Sequence, residues 1–72
     1  GNGYAVEAIK VPERLVDQTV LKLQSQLPAG VRLIGLHRGD NFMMSPEPST
    51  VIEKNDVILV WGRRTKLIDL ER

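Results

Sequence analysis

Cysteine is absent from the 72-residue chain, and its absence excludes two kinds of stabilisation. Disulfides cannot support so small a domain, and zinc sites built on thiolates are impossible. The lack of cysteine fits a reducing, cytoplasmic location. Long apolar runs are absent too, since no stretch approaches the roughly 20 residues of a membrane-spanning helix. The start of the chain does not have the features of a signal peptide.

Aromatic residues and an excess of one charge are also scarce. The chain has one Tyr, one Trp and one Phe, and its formal net charge is +1. Nucleic acid is therefore not expected as a partner, because its binding needs several stacking aromatics or clustered basic charge. With 42% hydrophobic residues the chain is expected to fold. We expect one domain over residues 4–72, preceded by a linker or a remnant of cloning at 1–3.

The pattern of apolar residues predicts the element order β-α-β-β-β-α. Runs rich in β-branched residues indicate strands, whereas apolar residues spaced by three and four indicate a helix. The predicted strands cover 4–11, 31–38, 42–45 and 57–62, and the predicted helices cover 13–27 and 66–72. This order is typical of an α+β fold, with one helix packed on one face of a small, mainly antiparallel sheet.

Local signals mark the ends of these elements. Four residues of the long predicted helix share one face: Val16, Val20, Leu23 and Leu27. Asp17 or Thr19 is the expected N-cap of that helix, and Thr65 that of the closing helix. Residues 39–41 predict a tight turn and therefore a β-hairpin, since Gly, Asp and Asn tolerate positive φ. Asn55 is expected to be left-handed.

The strands do not alternate cleanly between apolar and polar residues. Strict alternation would place Val31, Leu33 and Gly35 on one face of the second strand, and Ile34 and Leu36 on the other. In the last strand, Val57, Leu59 and Trp61 would lie opposite Ile58 and Val60. Both faces then need cover, and we infer that the second face, or an edge, packs on another copy as a two-fold homodimer. Alternatively, the closing helix and segment 46–54 fold over that face.

Several short motifs have simple structural explanations. Arg38-Gly39-Asp40 matches a cell-adhesion tripeptide, but a tight turn explains all three residues. His37 is the only histidine, so a metal site would have to rely on carboxylates, and we expect none. No nucleophile is paired with a base in a pattern that indicates catalysis.

The remaining charged residues are interpreted as solvated surface. The acids in question are Glu47, Glu53, Asp56 and Asp69, which are scattered along the chain. Arg63, Arg64 and Lys66 flank the start of the closing helix, where a phosphate site is the alternative to plain solvation.

Two long segments, IKVPERLVDQTVLKL and GVRLIGLHRGDNFMMSPEPSTVIEKNDVILVWG, together resemble the C-terminal domain of RCK proteins, also called the TrkA-C domain. The matching positions are Val11, Pro12, Leu15, Thr19, Gly30, Ile34, Leu36, Arg38, Pro46 or Pro48, Asp56, Ile58, Val60 and Gly62. Asn55 replaces a glycine of the family and can adopt its conformation. Gly35 replaces the usual alanine, which we expect only to remove a methyl group.

The resemblance implies a non-enzymatic regulatory and dimerisation domain in the cytoplasm, attached to a parent potassium channel, potassium-uptake system or related ion transporter. Some members of the family bind cyclic di-AMP, so this nucleotide is the implied regulatory ligand, with no cofactor. By position its site would comprise Leu33, Ile34, Arg38, Asn41, Phe42 and Pro46. Ile34 and Phe42 would receive adenine faces and Arg38 would pair with phosphate. The alternatives are a purely structural dimerisation module without ligand and a small enzyme or metal protein.

Overall fold

The computed structural model describes residues 3–70 and contains one four-stranded sheet with two α-helices. The strands are β1 (Tyr4–Lys10), β2 (Arg32–Arg38), β3 (Asn41–Met44) and β4 (Val57–Arg63). The helices are α1 (Val20–Gln26) and α2 (Arg64–Leu70). The predicted α+β class and the element order β-α-β-β-β-α are confirmed.

The strands pair in the order β1-β4-β2-β3, and every pair is antiparallel. β4, the last strand in sequence, is therefore central and packs between β1 and β2. The predicted hairpin is confirmed, since β2 and β3 pair around a turn in which Gly39 has a φ of 56°. β3 pairs only with β2, so its outer side forms one edge of the sheet.

The helix predicted over 13–27 is wrong in its first half. Residues Glu13–Leu15 form a single 3₁₀ turn, and Asp17 then takes a left-handed φ of 71° that no α-helix can contain. Backbone hydrogen bonds explain the break, because Asp17 N–H donates to Ile52 O and Ile52 N–H donates to Gln18 O, both at 2.8 Å. Thr19 is the N-cap, with its side-chain oxygen accepting from Lys22 N–H at 3.2 Å.

The closing helix begins earlier than predicted. α2 starts at Arg64, directly after β4, so Thr65 lies within its first turn and does not cap it. Residues 71–72 of the predicted helix, like residues 1–2 of the predicted linker, lie outside the described part of the chain. Leu67 of α2 is buried in the same core as Leu23 of α1 and Ile52 of the 46–56 segment. Both helices and that segment therefore cover one face, and the alternative in which they fold over the second face is wrong.

A β-bulge interrupts the alternation of β2. Leu33 pairs with Val60, but the next paired residue is Gly35, which lies opposite Leu59, so Ile34 is an extra residue. Leu33 and Leu36 consequently point toward the helices together. The strict alternation expected for this strand is wrong from Ile34 onward. β4 has no such irregularity, and its expected faces agree with its burial, since Ile58 and Val60 are buried.

The second face of the sheet, termed the open face, carries a continuous apolar surface. The register assigns to it Tyr4, Val6, Ala8, Lys10, Arg32, Gly35, His37, Phe42, Met44, Val57, Leu59, Trp61 and Arg63. Val6, Phe42, Met44 and Trp61 are exposed large hydrophobic residues. None of these positions holds an acidic residue, and the basic residues lie at the two ends of the strands.

Gly35 has a packing role that the sequence does not predict. A Cβ atom at this position would fall on the ring of Phe42 and within 2.8 Å of Met43 O. The Phe42 ring therefore lies directly over the Gly35 backbone on the open face. The expectation that glycine here only removes a methyl group is wrong, because the missing methyl makes room for the ring.

We expect the Gly35→Ala substitution to lower the free energy of unfolding by about 1–3 kcal/mol, the usual cost of overpacking. Urea unfolding of the purified domain measures this change. Phe42→Ala removes the clashing ring, so the double variant should recover part of the loss. A Gly35→Ala domain as stable as the parent would show that the ring does not occupy this position.

Candidate functional site

A paired Arg38 and Asp56 form the centre of the candidate site. Arg38 Nε donates to Asp56 Oδ1 at 3.0 Å and its Nη2 donates to Asp56 Oδ2 at 2.8 Å. Two parallel bonds of this kind are the strong, planar arrangement that arginine forms with a carboxylate. The Asp56 side chain is 1% exposed, so its charge depends on this partner for compensation.

The remaining contacts of Arg38 extend into the segment before Asp56. Nη2 also donates to Val51 O at 2.9 Å, and Nη1 forms an ion pair with Glu53 Oε2 at 3.1 Å. The side chains of Arg38 and Glu53 are 31% and 61% exposed, respectively. The inner side of the guanidinium is thus held by the fold, and its outer side meets an exposed carboxylate.

The hydrogen bonds within the pair and the burial of its groups shift the pKa values of Arg38 and Asp56 in opposite directions. The hydrogen bonds from Arg38 hold the pKa of Asp56 below its usual value, although burial raises it, and Glu53 N–H, which donates to Oδ2 at 2.8 Å, lowers it further. The same hydrogen bonds to Asp56 raise the pKa of Arg38 against the lowering effect of burial. Both groups are therefore charged at neutral pH.

The 46–56 segment is fixed to the start of α1 as well as to Arg38. Val20 N–H donates to Thr50 O at 2.9 Å and Leu21 N–H donates to Pro48 O at 3.0 Å. Thr19 and Val51 form an isolated β-bridge. The turn before β4 is closed by Asn55, whose φ of 73° confirms the left-handed conformation expected for it. Arg38 thereby connects the β2–β3 hairpin to a segment that also contacts α1.

The sequence-predicted ligand residues divide between the two faces of the sheet. Arg38 follows Leu36 toward the helix side, whereas Phe42 lies on the open face opposite His37, with ring centroids 6.1 Å apart. Asn41 pairs with Arg38 at the start of β3 and is exposed. Arg38 and Phe42 are consequently close only around the outer edge of β3, where Asn41 lies.

The other predicted residues lie along β2 and after β3. Ile34 is the extra residue of the bulge, and its carbonyl accepts from Ser45 N–H at 2.9 Å, next to the half-buried Pro46. Leu33 borders an open recess of about 460 Å³ between the end of α1 and β2. Arg38 follows Leu33 by five positions, a distance of about 17 Å along a strand. The structure brings Arg38 together with Asn41 and pairs Ile34 with Ser45, the residue before Pro46.

The interpretation of Glu53 and Asp56 as scattered surface acids is wrong for Asp56. It is buried, and both acids contact Arg38. The signal that was available is that Asp56 is one of the positions that match the family pattern. Nothing in the spacing to Arg38, eighteen residues away, indicates the partner.

Other charged and aromatic groups lie at the opposite end of the sheet. Tyr4 stacks on Trp61 with ring centroids 4.9 Å apart, and the Arg63 guanidinium lies 4.9 Å above the Tyr4 ring. Across residues 3–70, no group of three His, Asp or Glu side chains is placed to hold a metal ion. Neither of the helices in this range is long and apolar enough to cross a membrane.

Comparison with known proteins identifies the family. The TrkA-C domain family matches residues 5–72, nearly the whole chain, so the chain belongs to this family of RCK C-terminal domains. The Ktr system potassium uptake protein A of Vibrio alginolyticus is 34% identical over 67 residues, covering 93% of this chain and 30% of that protein. The ammonium/H⁺ antiporter subunit AmhM of Alkalihalophilus pseudofirmus is 26% identical over 57 residues, covering 79% of this chain and 34% of that protein.

Two solved structures share the fold of this chain. The RCK C domain of the potassium transport protein KtrA, solved in complex with cyclic diadenosine monophosphate, superposes with a TM-score of 0.81 at 26% identity, over 94% of this chain and 80% of that chain. The GsuK RCK domain gives a TM-score of 0.79 at 17% identity, over 97% of this chain and 16% of that chain, which is a likeness of fold. The chain spans about a third of the length of the curated relatives it matches.

We expect Arg38→Ala to destabilise the domain by about 3 kcal/mol, because it leaves the buried Asp56 carboxylate without its partner. Arg32→Ala, which changes an exposed arginine of the same strand, serves as the matched control and should change stability by less than about 0.5 kcal/mol. Urea unfolding at neutral pH measures both. Equal stability of the two variants would contradict the structural role of the pair.

The same pair gives the stability a defined dependence on pH. Since the folded pKa of Asp56 lies below the unfolded value of about 3.9, its contribution is present above that value and is lost as the pH falls through the folded pKa. Urea midpoints at pH 7 and pH 3 should therefore differ less for Asp56→Asn than for the parent domain. Asp40→Asn, at the exposed hairpin turn, should retain the parent's difference.

Proposed function

We propose that the chain is the cytoplasmic, non-catalytic regulatory domain of a potassium channel, a potassium-uptake system or a related ion transporter. It acts as a homodimer and responds to an anionic nucleotide, for which cyclic di-AMP is the first candidate. Membership of the TrkA-C family and the likeness to the KtrA C domain support this assignment. The observation that carries the proposal is the apolar open face, which no element of residues 3–70 covers.

The open face supports dimerisation through its composition and shape. Its apolar part comprises Leu59 and Trp61 on the central strand β4, Val6 on β1 and Met44 on the edge strand β3, with the Phe42 ring filling the space above Gly35. Contiguous exposed apolar surface is unfavourable in water and commonly marks an interaction site. A second copy related by a two-fold axis would cover this surface with the same apolar residues. Small domains also gain the most from such added burial.

The basic residues at the ends of the open face should make such a dimer depend on the salt concentration. Lys10 and His37 lie at one end of the strands, and Arg32 and Arg63 lie at the other. Face-to-face contact between two copies would bring cations near cations at its rim. Their repulsion is reduced by salt within a Debye length of about 10 Å at 0.1 M, so the dimer should tighten as salt rises.

The hairpin supports the ligand part of the proposal. Arg38 supplies a partly exposed cation on one side of β3, and Phe42 supplies an exposed aromatic ring on the other, with Asn41 at the edge between them. A cyclic dinucleotide carries phosphates and two flat bases, and it is large enough to contact both sides of a four-residue edge strand. Ile34 and Pro46 would extend the apolar part of this site, and Leu33 belongs to its far end.

Regulation would follow from the connection between the two surfaces. Phe42 belongs to the proposed ligand site and also lies on the proposed dimer surface. A ligand that contacts Phe42 therefore changes the free energy of one dimer arrangement relative to another. The shift is limited to the difference in the ligand's affinity for the two arrangements. In the parent transporter this difference would bias the gate.

A purely structural dimerisation module without a ligand is the second candidate. It is favoured by the complete pairing of Asp56 and by the internal partners of Arg38, which give that residue a role in the fold without any ligand. Both candidates require the dimer, and they differ in the response to nucleotide.

We expect Met44→Lys to weaken the dimer at least about tenfold, because it places a further cation in an apolar contact that the dimer would bury. Met44 is 70% exposed in the single chain, and Leu21→Lys, at a residue 61% exposed on α1, is the matched control and should leave the dimer unchanged. Sedimentation equilibrium at low and moderate salt measures both association constants. A parent domain with the mass of one chain at high concentration would refute the dimer.

Calorimetry should detect binding of cyclic di-AMP to the parent domain, with an affinity reduced about tenfold by Phe42→Ala, since stacking on an aromatic ring contributes roughly 1–3 kcal/mol per base. Ile68→Ala removes an exposed apolar side chain of α2 and should not change the affinity. Other nucleotides and divalent cations complete the panel. Silence with every compound would favour the structural module.

A further inference from the structure

The Arg38 guanidinium has two edges with different environments. A guanidinium carries five N–H donors. Three of them, on Nε and Nη2, donate to the Asp56 carboxylate and to Val51 O, both in the 46–56 segment. The other two, on Nη1, point to the exposed side, where Glu53 Oε2 lies 3.1 Å away.

The contact with Glu53 is much weaker than the contact with Asp56. The Glu53 side chain is 61% exposed, and ion pairs in such positions are worth about 0.2–1 kcal/mol, which corresponds to a factor of about one to five in an equilibrium. The Asp56 carboxylate is buried and bonded on both oxygens. An incoming anion can therefore displace Glu53 from Nη1 but not Asp56 from the inner edge.

We propose that Glu53 is a built-in competitor for the anionic ligand, covering the only edge of Arg38 that a phosphate group can reach. This inference rests on the proposed nucleotide-binding function and adds a specificity-determining residue that the sequence comparison does not supply. One phosphate oxygen pair takes the place of the Glu53 carboxylate on Nη1. Arg38 keeps its contacts with Asp56 throughout.

The backbone geometry allows this exchange without disturbing the loop. Glu53 N–H donates to Asp56 Oδ2 at 2.8 Å, and Asp56 N–H donates to Glu53 O at 3.1 Å. The main chain of Glu53 is thus held in place by Asp56, and only its side chain has to turn toward solvent. The incoming oxyanion bonds through Nη1, because the inner edge of the guanidinium remains occupied.

Arg38 has two roles, since it pairs with Asp56 and would contact the phosphate, and this determines which variant gives an informative test. Arg38→Ala removes the ligand edge and the partner of a buried carboxylate together, so loss of binding in that variant would report unfolding as readily as recognition. Glu53→Gln keeps the backbone hydrogen bonds and removes the competing charge from an exposed position. It is therefore the change that separates the two roles.

Isothermal titration with cyclic di-AMP should give a Kd roughly threefold lower for Glu53→Gln than for the parent domain, the size expected when one exposed ion pair is removed. Glu47→Gln, at an exposed acid of the same segment, is the matched control for the change in net charge and should leave Kd unchanged. Thermal unfolding verifies that all three proteins are folded.

The outcomes separate this proposal from the proposed function. Binding to the parent with equal or weaker binding to Glu53→Gln refutes the competitor role and leaves nucleotide regulation standing. An equal gain in both variants shows a general charge effect and also refutes it. Binding seen only with Glu53→Gln supports it, because the competitor then blocks the site. Silence from all three proteins overturns the competitor proposal and excludes cyclic di-AMP as the ligand of the proposed function.

A second measurement follows Arg38 itself. In ¹⁵N-resolved spectra the Arg38 Nε–H signal should keep its position when cyclic di-AMP is added, because that group remains on Asp56. A shift of this signal toward that of a free guanidinium would show that the ligand removes Arg38 from Asp56, which contradicts the division into an inner and an outer edge.

Discussion

Both helices and the 46–56 segment lie on one face of a four-stranded sheet, and most properties of the domain follow from this one-sided cover. The core forms where Ile58 and Val60 of the central strand meet Leu23 and Leu67 of the helices. No helix or loop of residues 3–70 packs on the apolar residues of the open face of the same strands. A fold of this kind separates two tasks, because one face supplies stability and the other is available for contacts with a partner.

The elements of the fold could be read largely from local patterns. Apolar runs and turn residues identify the four strands, the hairpin and the left-handed Asn55. The start of the helix before β2 could not be predicted, because the apolar spacing continues across Asp17. Hydrogen bonds to Ile52, thirty-five residues away, keep that stretch out of the helix. Such long-range pairing overrides a local signal and leaves no trace in a window of fifteen residues.

The contacts within the candidate site could not be predicted from the sequence. The turn residues predict the hairpin, and the family resemblance suggests Arg38 as a ligand residue, whereas the partners of Arg38 depend on how a loop returns past the end of β2. The sequence also could not predict which face each hairpin residue occupies, because an alternating pattern does not show that the Phe42 ring packs on the backbone of Gly35. A contact with a glycine leaves no pair of apolar side chains that a sequence pattern could reveal.

The bulge at Ile34 lets β2 contain one residue more than its partner strand without changing the face of the residues that follow. Leu33 pairs with Val60 and Gly35 pairs with Leu59, so the ladder on β4 is regular on both sides of the bulge. Deletion of Ile34 would therefore leave a continuous ladder in which Arg38 still points toward Asp56. Deletion of a residue between Gly35 and Arg38 has no bulge to absorb it and would turn Arg38 to the opposite face, away from the buried carboxylate.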